Sequence, residues 1–459
     1  MLRMIGRNAH LSPVDTAWYR MEHPTNLMMI TGVFIFDEML DYAQLRSVLE
    51  KGLLRFDRFK QKVVRPQLSF APPYWVDDED FDIDSHLHRI SLPSPGDQKR
   101  LEAVVNDYMS APLDYSKPLW QIHLVENFGD GCAVLCRLHH CIADGIALVR
   151  VLLDLTQDSP EAAPGYIMGT SPGGKASDNA NNRTIDRKNS HFQQGLDFVS
   201  DPRRVAEAAK LGAASSTALA HLLLLTSDPP TRFKGELGVR KRCSWTEPIS
   251  LQQVKDVGTA IGGTVNDVLL STVAGALGRY LRLRGEAVGG LEFRAVVPVN
   301  LRPADEELRL GNSFGLVFLT LPVGIDDPIE RIQELKRRMD AIKGTPEAIV
   351  AFGIVNAIGI ASPEIEDIVV NMFGKKGTAV MTNVPGPRET RYLAGKPIKG
   401  VMFWVPQSGR LGLGVSIISY AGEVLVGIAT DAGLTPDPET IVELVMEEFS
   451  AYSRFIEGE

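Results

Sequence analysis

The strongest constraint on how this chain can fold is a polar interruption. Residues 159–190 read SPEAAPGYIMGTSPGGKASDNANNRTIDRKNS, dense in Gly, Pro, Ser, Asn and Asp and almost without periodic apolar content. Such a stretch cannot bury the apolar surface that ordering a backbone requires, and it reads as a flexible linker. The 459 residues are also too many for one compact core of ordinary size, so two subdomains are expected. We place an N-terminal subdomain at residues 1–157, the linker with a helical crossover segment at 158–242, and a C-terminal subdomain at 243–459.

Both flanks mix two hydrophobic periods. Before the linker, short apolar runs such as LMMITGVFIF and WQIHLVENF alternate with helical patterns such as YAQLRSVLEKGLLRF. After it, DPRRVAEAAKLGAASSTALAHLLLLTS carries apolar residues at helical spacing. Five strand-like runs then follow: LEFRAVVPVNL, GLVFLTLPVG, TAVMTNVPG, GVSIISYAG and EVLVGIATD. The closing DPETIVELVMEEFSAYSRF reads as an amphipathic helix opened by Asp437, with Pro438 in its first turn. The expected fold class is α/β with mixed (α+β) sheets.

Charge and cysteine content narrow the function classes. A net charge of -9 and a pI near 5.6 argue against a broad nucleic-acid surface, and an anionic ligand would need a local basic patch. Cys132, Cys136 and Cys141 crowd one region without CxxC spacing, which fits a reducing, cytoplasmic setting. The opening MLRMIGRNAHLSPVDTAWYR has no apolar signal region. The longest apolar run, AIVAFGIVNAIGIAS from Ala348, is shorter than a membrane span and reads as a buried helix. Peripheral contact with a membrane surface stays open.

The stretch GCAVLCRLHHCIADGIALVRVLLDL carries the most chemistry. A strand period of two sets Cys132, Val134, Cys136, Leu138 and His140 on one face, and Ala133, Leu135, Arg137 and His139 on the other. The two histidines therefore point opposite ways and do not readily share a metal ion. Asp144-Gly145, followed by a helical pattern, reads as a helix start. His140 on the apolar side would be kept neutral by desolvation, ready to take a proton from a hydroxyl, a role worth about 10²- to 10⁴-fold in rate. Asp144 suits holding the corner rigid. On spacing alone, a core histidine without chemistry is an equal alternative.

HHCIADG resembles the HHxxxDG motif of the CoA-dependent acyltransferase superfamily, to which the chloramphenicol acetyltransferase-like enzymes belong. Five further blocks, LDYSKPLWQIHLVEN, GGTVNDVLLSTVAGALGRYL, VVPVNLRP, GNSFG and MTNVPGP, resemble in order those of the bacterial wax ester synthase/diacylglycerol acyltransferases. The opening LSPVDTAWYRMEHPTNLMMITG is also similar, although Met28 and Met29 stand where many members have a Pro-Met-His stretch.

The resemblance implies two chloramphenicol acetyltransferase-like subdomains with a tunnel between them. It implies an acyl-CoA-dependent O-acyltransferase that esterifies a fatty alcohol or diacylglycerol, with acyl-CoA as co-substrate and no bound cofactor or metal. His140 would be the base, with His139, Asp144, Gly145 and Asn266 completing the site. Asn266 would donate to the oxyanion or position substrate; the alternative is a helix cap. Arg302 would pair with Asp144, or else be an exposed turn charge. Arg232, Lys234, Arg240, Lys241 and Arg242 are candidates for the CoA phosphates, or else a solvated loop face. Gly353, Ala357, Gly359 and Ala361 are candidates for lining an acyl tunnel, or else ordinary core. Lipid substrates imply contact with the inner membrane or lipid bodies. Other acceptors on the same fold, or a silent lipid-binding protein, are the competing readings.

Overall fold

The computed structural model describes residues 9–66, 71–160, 215–302, 310–343, 345–407 and 411–457. The linker reading falls outside the described residues from 161 onward, as does the crossover pattern up to residue 214.

Two mixed sheets carry the fold, and the strand-like runs form them. The first half contributes β1 (Met29–Phe36), β2 (Leu87–Ser91), β3 (Trp120–Phe128) and β4 (Gly131–His139). The second half contributes β5 (Lys241–Trp245), β6 (Phe293–Asn300), β7 (Phe314–Leu321), β8 (Ala379–Pro385), β9 (Gly400–Trp404), β10 (Leu413–Tyr420) and β11 (Glu423–Asp431). Most of these pair in the order β7-β6-β8-β10-β11-β5, with β8 parallel to both its neighbours. Strand β9 instead crosses over and pairs antiparallel with β1, Thr31 opposite Trp404, giving a first sheet ordered β9-β1-β4-β3-β2.

This crossover has an energetic consequence. The largest apolar cluster runs without a break from β1 and β4 through Phe403 and Trp404 to Ile418, Tyr420 and Leu425 of the second sheet. A second core forms under the helices of the C-terminal half, around Val273, Leu277, Tyr280 and Phe449. Because apolar burial contributes roughly 25 cal/mol per Å², a core shared across the seam ties the two halves into one unit.

Helix α1 (Pro13–Arg20) is capped by Ser12, whose hydroxyl accepts the Asp15 N–H at 3.0 Å. Helix α2 (Gly145–Asp154) is capped by Asp144, and α3 is Ser215–Leu224. In α4 (Val265–Leu283) the cap is Thr264, which forms a capping box with Asp267. The cap alternative for Asn266 is thereby removed, since the capping hydroxyl is two residues upstream. Helix α5 (Glu347–Ile360) packs against α1 and β7, α6 (Pro363–Gly374) packs against α5, and α7 is Pro438–Glu457.

The apolar run in α5 is not buried all round, as its sequence suggested. Ala348, Ala351 and Ile358 face inward, but Ile349 and Ile360 are 57% and 74% exposed. Among the described residues no single helix is long and apolar enough to cross a membrane.

Candidate active site

The site lies where the end of β4 meets the connection between β6 and β7. Strand β4 pairs with β1 as far as His139 opposite Met29, and the His140 N–H continues the ladder to the Met28 carbonyl at 2.8 Å. The chain then turns, the Ile142 N–H bonding the His139 carbonyl at 3.0 Å, before Asp144 starts α2. The two rings are thus fixed on opposite sides of the turn.

His140 stacks on Trp18 at 4.2 Å between ring centroids and lies 5.6 Å from Phe314. Its Nδ1 is buried without a hydrogen-bond partner. Burial lowers its pKa to about 4, against the smaller opposing pull of Asp144, so the imidazole is neutral at pH 7. His139 is equally buried, but its Nδ1 accepts the Cys141 N–H at 3.1 Å and its Nε2 lies 3.6 Å from the Glu22 carboxylate. Tyr19 and Tyr115 flank that ring, and burial together with the nearby Glu22 charge pushes the Tyr115 phenol upward.

Asp144 is 3% exposed, and each of its oxygens is engaged. Oδ1 accepts the Ala147 N–H at 2.9 Å, while Oδ2 accepts the Ser313 N–H at 3.0 Å and lies 2.5 Å from Arg302 Nη1. The same guanidinium donates to the Gly311 carbonyl at 2.6 Å. Thus the Asp-Gly corner of the first half is tied by an ion pair to the second half, and Arg302 is no exposed turn charge.

A cavity opens beside these residues. His140, Asp144, Gly145 and Ile146 form one wall, and Phe314, Leu316, Thr382, Asn383, Phe403 and Val405 the other. Trp18 and Leu316 separate it from a second, apolar cavity lined by Met21, Leu222, Phe318, Ala351, Ile354, Ile358, Val370 and Phe373. Asn266 does not reach the first cavity wall directly: its Oδ1 accepts from Asn383 Nδ2 at 2.6 Å, so it stands behind Asn383.

Two groups of expected residues are placed elsewhere. The helix α5 side chains on the apolar cavity are Ala351, Ile354, Val355 and Ile358, not Gly353, Ala357, Gly359 or Ala361. Gly359 serves close packing instead, since a Cβ there would meet the Pro13 carbonyl oxygen at 1.7 Å. The Ala361 carbonyl accepts from Arg20 at 3.0 Å.

Three of the five cations in the basic segment face carboxylates of the chain itself. Lys241 is buried and pairs with Asp431 at 2.7 Å, and Lys234 donates to the Lys375 carbonyl at 3.0 Å and to the Gly377 carbonyl. Arg232 faces Glu286 at 3.7 Å and Arg242 faces Glu439 at 3.6 Å. None of the five, Arg240 included, lines the cavity at His140. Arg232, Lys241 and Arg242 looked like part of a patch because their acidic partners lie far along the chain.

Several site residues carried no assigned role in the sequence. Asp15 is 1% exposed, pairs with Arg58 at 3.2 Å and accepts Asn312 Nδ2 at 2.7 Å. Asn312 also donates to the His140 carbonyl at 2.9 Å. Both belong to the quoted blocks LSPVDTAW and GNSFG, so the blocks were the only available signal.

Comparison with known proteins settles the family. Residues 11–269 match the model of the wax ester synthase/diacylglycerol acyltransferase catalytic domain, and residues 310–452 that of the WS/DGAT C-terminal domain. The chain belongs to the wax ester synthase/diacylglycerol acyltransferase family. It is 29% identical to a candidate diacylglycerol O-acyltransferase of Mycobacterium tuberculosis, over 95% of this chain and 90% of that protein. Among solved structures it resembles the wax ester synthase/diacylglycerol acyltransferase of Marinobacter aquaeolei VT8, with a TM-score of 0.70 at 19% identity, covering 98% of this chain and all 100% of that one. The first condensation domain of the calcium-dependent antibiotic synthetase shares the fold at a TM-score of 0.62 and 13% identity, covering 98% and 96%. The two-subdomain α/β architecture expected for the family is the one observed.

Proposed function

We propose that this WS/DGAT family member esterifies the hydroxyl of a fatty alcohol or diacylglycerol with an acyl group from acyl-CoA, using His140 as general base. One observation carries the reading: a neutral, desolvated imidazole forms the wall of a cavity that adjoins an apolar cavity of lipid character. The acceptor O–H gives its proton to His140 while its oxygen attacks the thioester carbonyl. The tetrahedral intermediate then collapses, the C–S bond breaks, and the departing CoA thiolate takes the proton back from the ring. Gly145 and Ile146 stand on the cavity wall in the first turn of α2, where helix N–H groups lack intrahelical partners and favour negative charge. That end of α2 is the proposed oxyanion site, with Asn383 held beside it by Asn266.

The test is release of CoA thiol from palmitoyl-CoA with either hexadecanol or dipalmitoylglycerol, with the ester products separated chromatographically. Wild type is expected to make ester and folded His140→Ala to lose about 10²- to 10⁴-fold in rate. Equal activity in the variant would end the base assignment, and the preferred acceptor identifies the physiological branch.

We also propose that the enzyme acts from the cytoplasmic side, on a membrane or lipid-body surface. Ile360, Ile365 and Ile368 are 74%, 52% and 67% exposed on α5 and α6, the helices whose inner residues line the apolar cavity. Ile360→Asp with Ile368→Asp is expected to weaken co-sedimentation with phospholipid vesicles. Unchanged sedimentation would remove this face from consideration.

A further inference from the structure

The general base has two ring nitrogens, and only one can take the acceptor's proton. Which one is bare depends on what holds the other, and two unsatisfied atoms at this site answer the question. His140 Nδ1 is buried without a hydrogen-bond partner, and so is the side-chain oxygen of Asn312. In protein interiors such orphans are rare, and two of them on contacting residues invite pairing.

The orientation of Asn312 is fixed independently of the ring. Its Nδ2 donates to Asp15 Oδ1 at 2.7 Å and to the His140 carbonyl at 2.9 Å, so both amide hydrogens are used. Flipping the amide would put Oδ1 against a carboxylate and a carbonyl, three acceptors with no donor. Asp15 is held in turn: Arg58 lies 3.2 Å from its Oδ2, and the Asn312 N–H reaches its Oδ1 at 3.2 Å. Arg58 also donates to the Ile142 carbonyl at 2.5 Å, so one guanidinium braces both Asp15 and the turn after the two histidines.

We propose that Asn312, oriented by Asp15, is a positioning residue that holds the proton of His140 on Nδ1 and leaves Nε2 bare for the acceptor hydroxyl. The proposal rests on the reading of His140 as the base and adds what selects its tautomer. Asn312 Oδ1, the unsatisfied acceptor on the contacting residue, is the proposed partner of Nδ1–H, and a hydrogen bond from the ring to Asn312 or to the His140 carbonyl raises the ring's affinity for a proton. Of the neighbours that also act on the ring, the Asp144 carboxylate favours the imidazolium and the adjoining His139 opposes it. Asp15, Arg58 and Arg302 complete the charged surroundings of the turn.

The experiment reads the tautomer directly. The protein is labelled with ¹⁵N-histidine, and the His140 signals are assigned by their loss in His140→Ala. At pH 7 wild type is expected to show a protonated Nδ1 and a bare Nε2, and Asn312→Ala a mixture of both tautomers. Asn312→Ala should lower kcat about ten- to a hundredfold with KM nearly unchanged, and move the acidic limb of the rate profile to lower pH. Asn312→Leu, which keeps the volume without the acceptor, should move that limb the same way. A residue that only supported the fold would lower activity without moving the limb.

A wild-type ring protonated on Nε2, or an Asn312→Ala variant with unchanged tautomer, would overturn the assignment. A wild-type ring protonated on Nε2 overturns it whether or not a variant folds. An Nδ1 proton in a protein that makes no ester would leave the positioning standing and sink the acyl-transfer reading instead.

Discussion

His139 and His140 are neighbours in sequence and opposites in environment. His139 points to a carboxylate and two tyrosines, with Nδ1 already accepting a backbone N–H. His140 points to Trp18 and Phe314, on a cavity wall, with an unpaired Nδ1. The contrast teaches that a histidine's chemistry is decided by what its face meets. A strand end that alternates faces can set one histidine against a carboxylate and tyrosines and its neighbour on an apolar cavity wall.

The largest effect is expected where both histidines depend on one support. Arg302 Nη1 is 2.5 Å from Asp144 Oδ2, both side chains are buried, and Asp144 also starts α2. Arg302→Met leaves a buried carboxylate without its cation, which costs roughly 3 to 5 kcal/mol. Urea denaturation should show that loss, together with a collapse of ester formation. Asp144→Asn with Arg302→Met together should recover part of the stability but not the activity. A single variant as stable as wild type would show that the ion pair does not pin the corner.

A smaller effect should separate the two histidines. His139→Gln removes the acceptor of the Cys141 N–H from a dry site, a loss of about 1 to 3 kcal/mol in stability. Its kcat should fall by less than about tenfold, against the 10²- to 10⁴-fold expected of the base. Equal losses at both positions, measured on folded protein, would erase the distinction drawn between them.

The reach of the sequence follows the same division between local and distant causes. Strand β4, the opposed rings and the Asp144 cap were legible because period two and helix-start chemistry are local. Arg302 was reachable only through the family resemblance, since nothing near it in sequence names Asp144. Asp15 and Asn312 are 297 residues apart and meet only in the folded protein, so no spacing could have joined them. The same cause explains two misplacements. Lys241 looked like a phosphate ligand because Asp431, its buried partner, lies 190 residues away. The small residues of α5 looked like room for an alkyl chain, whereas Gly359 is small because α1 packs against its backbone.

The most subtle separation is in pH. Burial lowers the His140 pKa from 6.5 to about 4, so between those values the unfolded chain binds a proton that the native one refuses. Native stability from this group is therefore complete above pH 6.5 and falls as the solution is acidified toward 4. Glu366 has the opposite sign. Both its oxygens are buried without partners, and burial raises its pKa from 4.5 to about 8 against the pull of Arg20. Its contribution is present below pH 4.5 and is lost as pH rises through about 8. Thermal melts from pH 4 to 9 should show His140→Gln losing the acid-side slope and Glu366→Gln losing the alkaline one, each by a few degrees. In His139→Gln the acid-side slope should persist, because the group that causes it is still in place. If the slope vanished there instead, the group that refuses the proton would be the other member of the pair, and the environment-based distinction between the two histidines would fail.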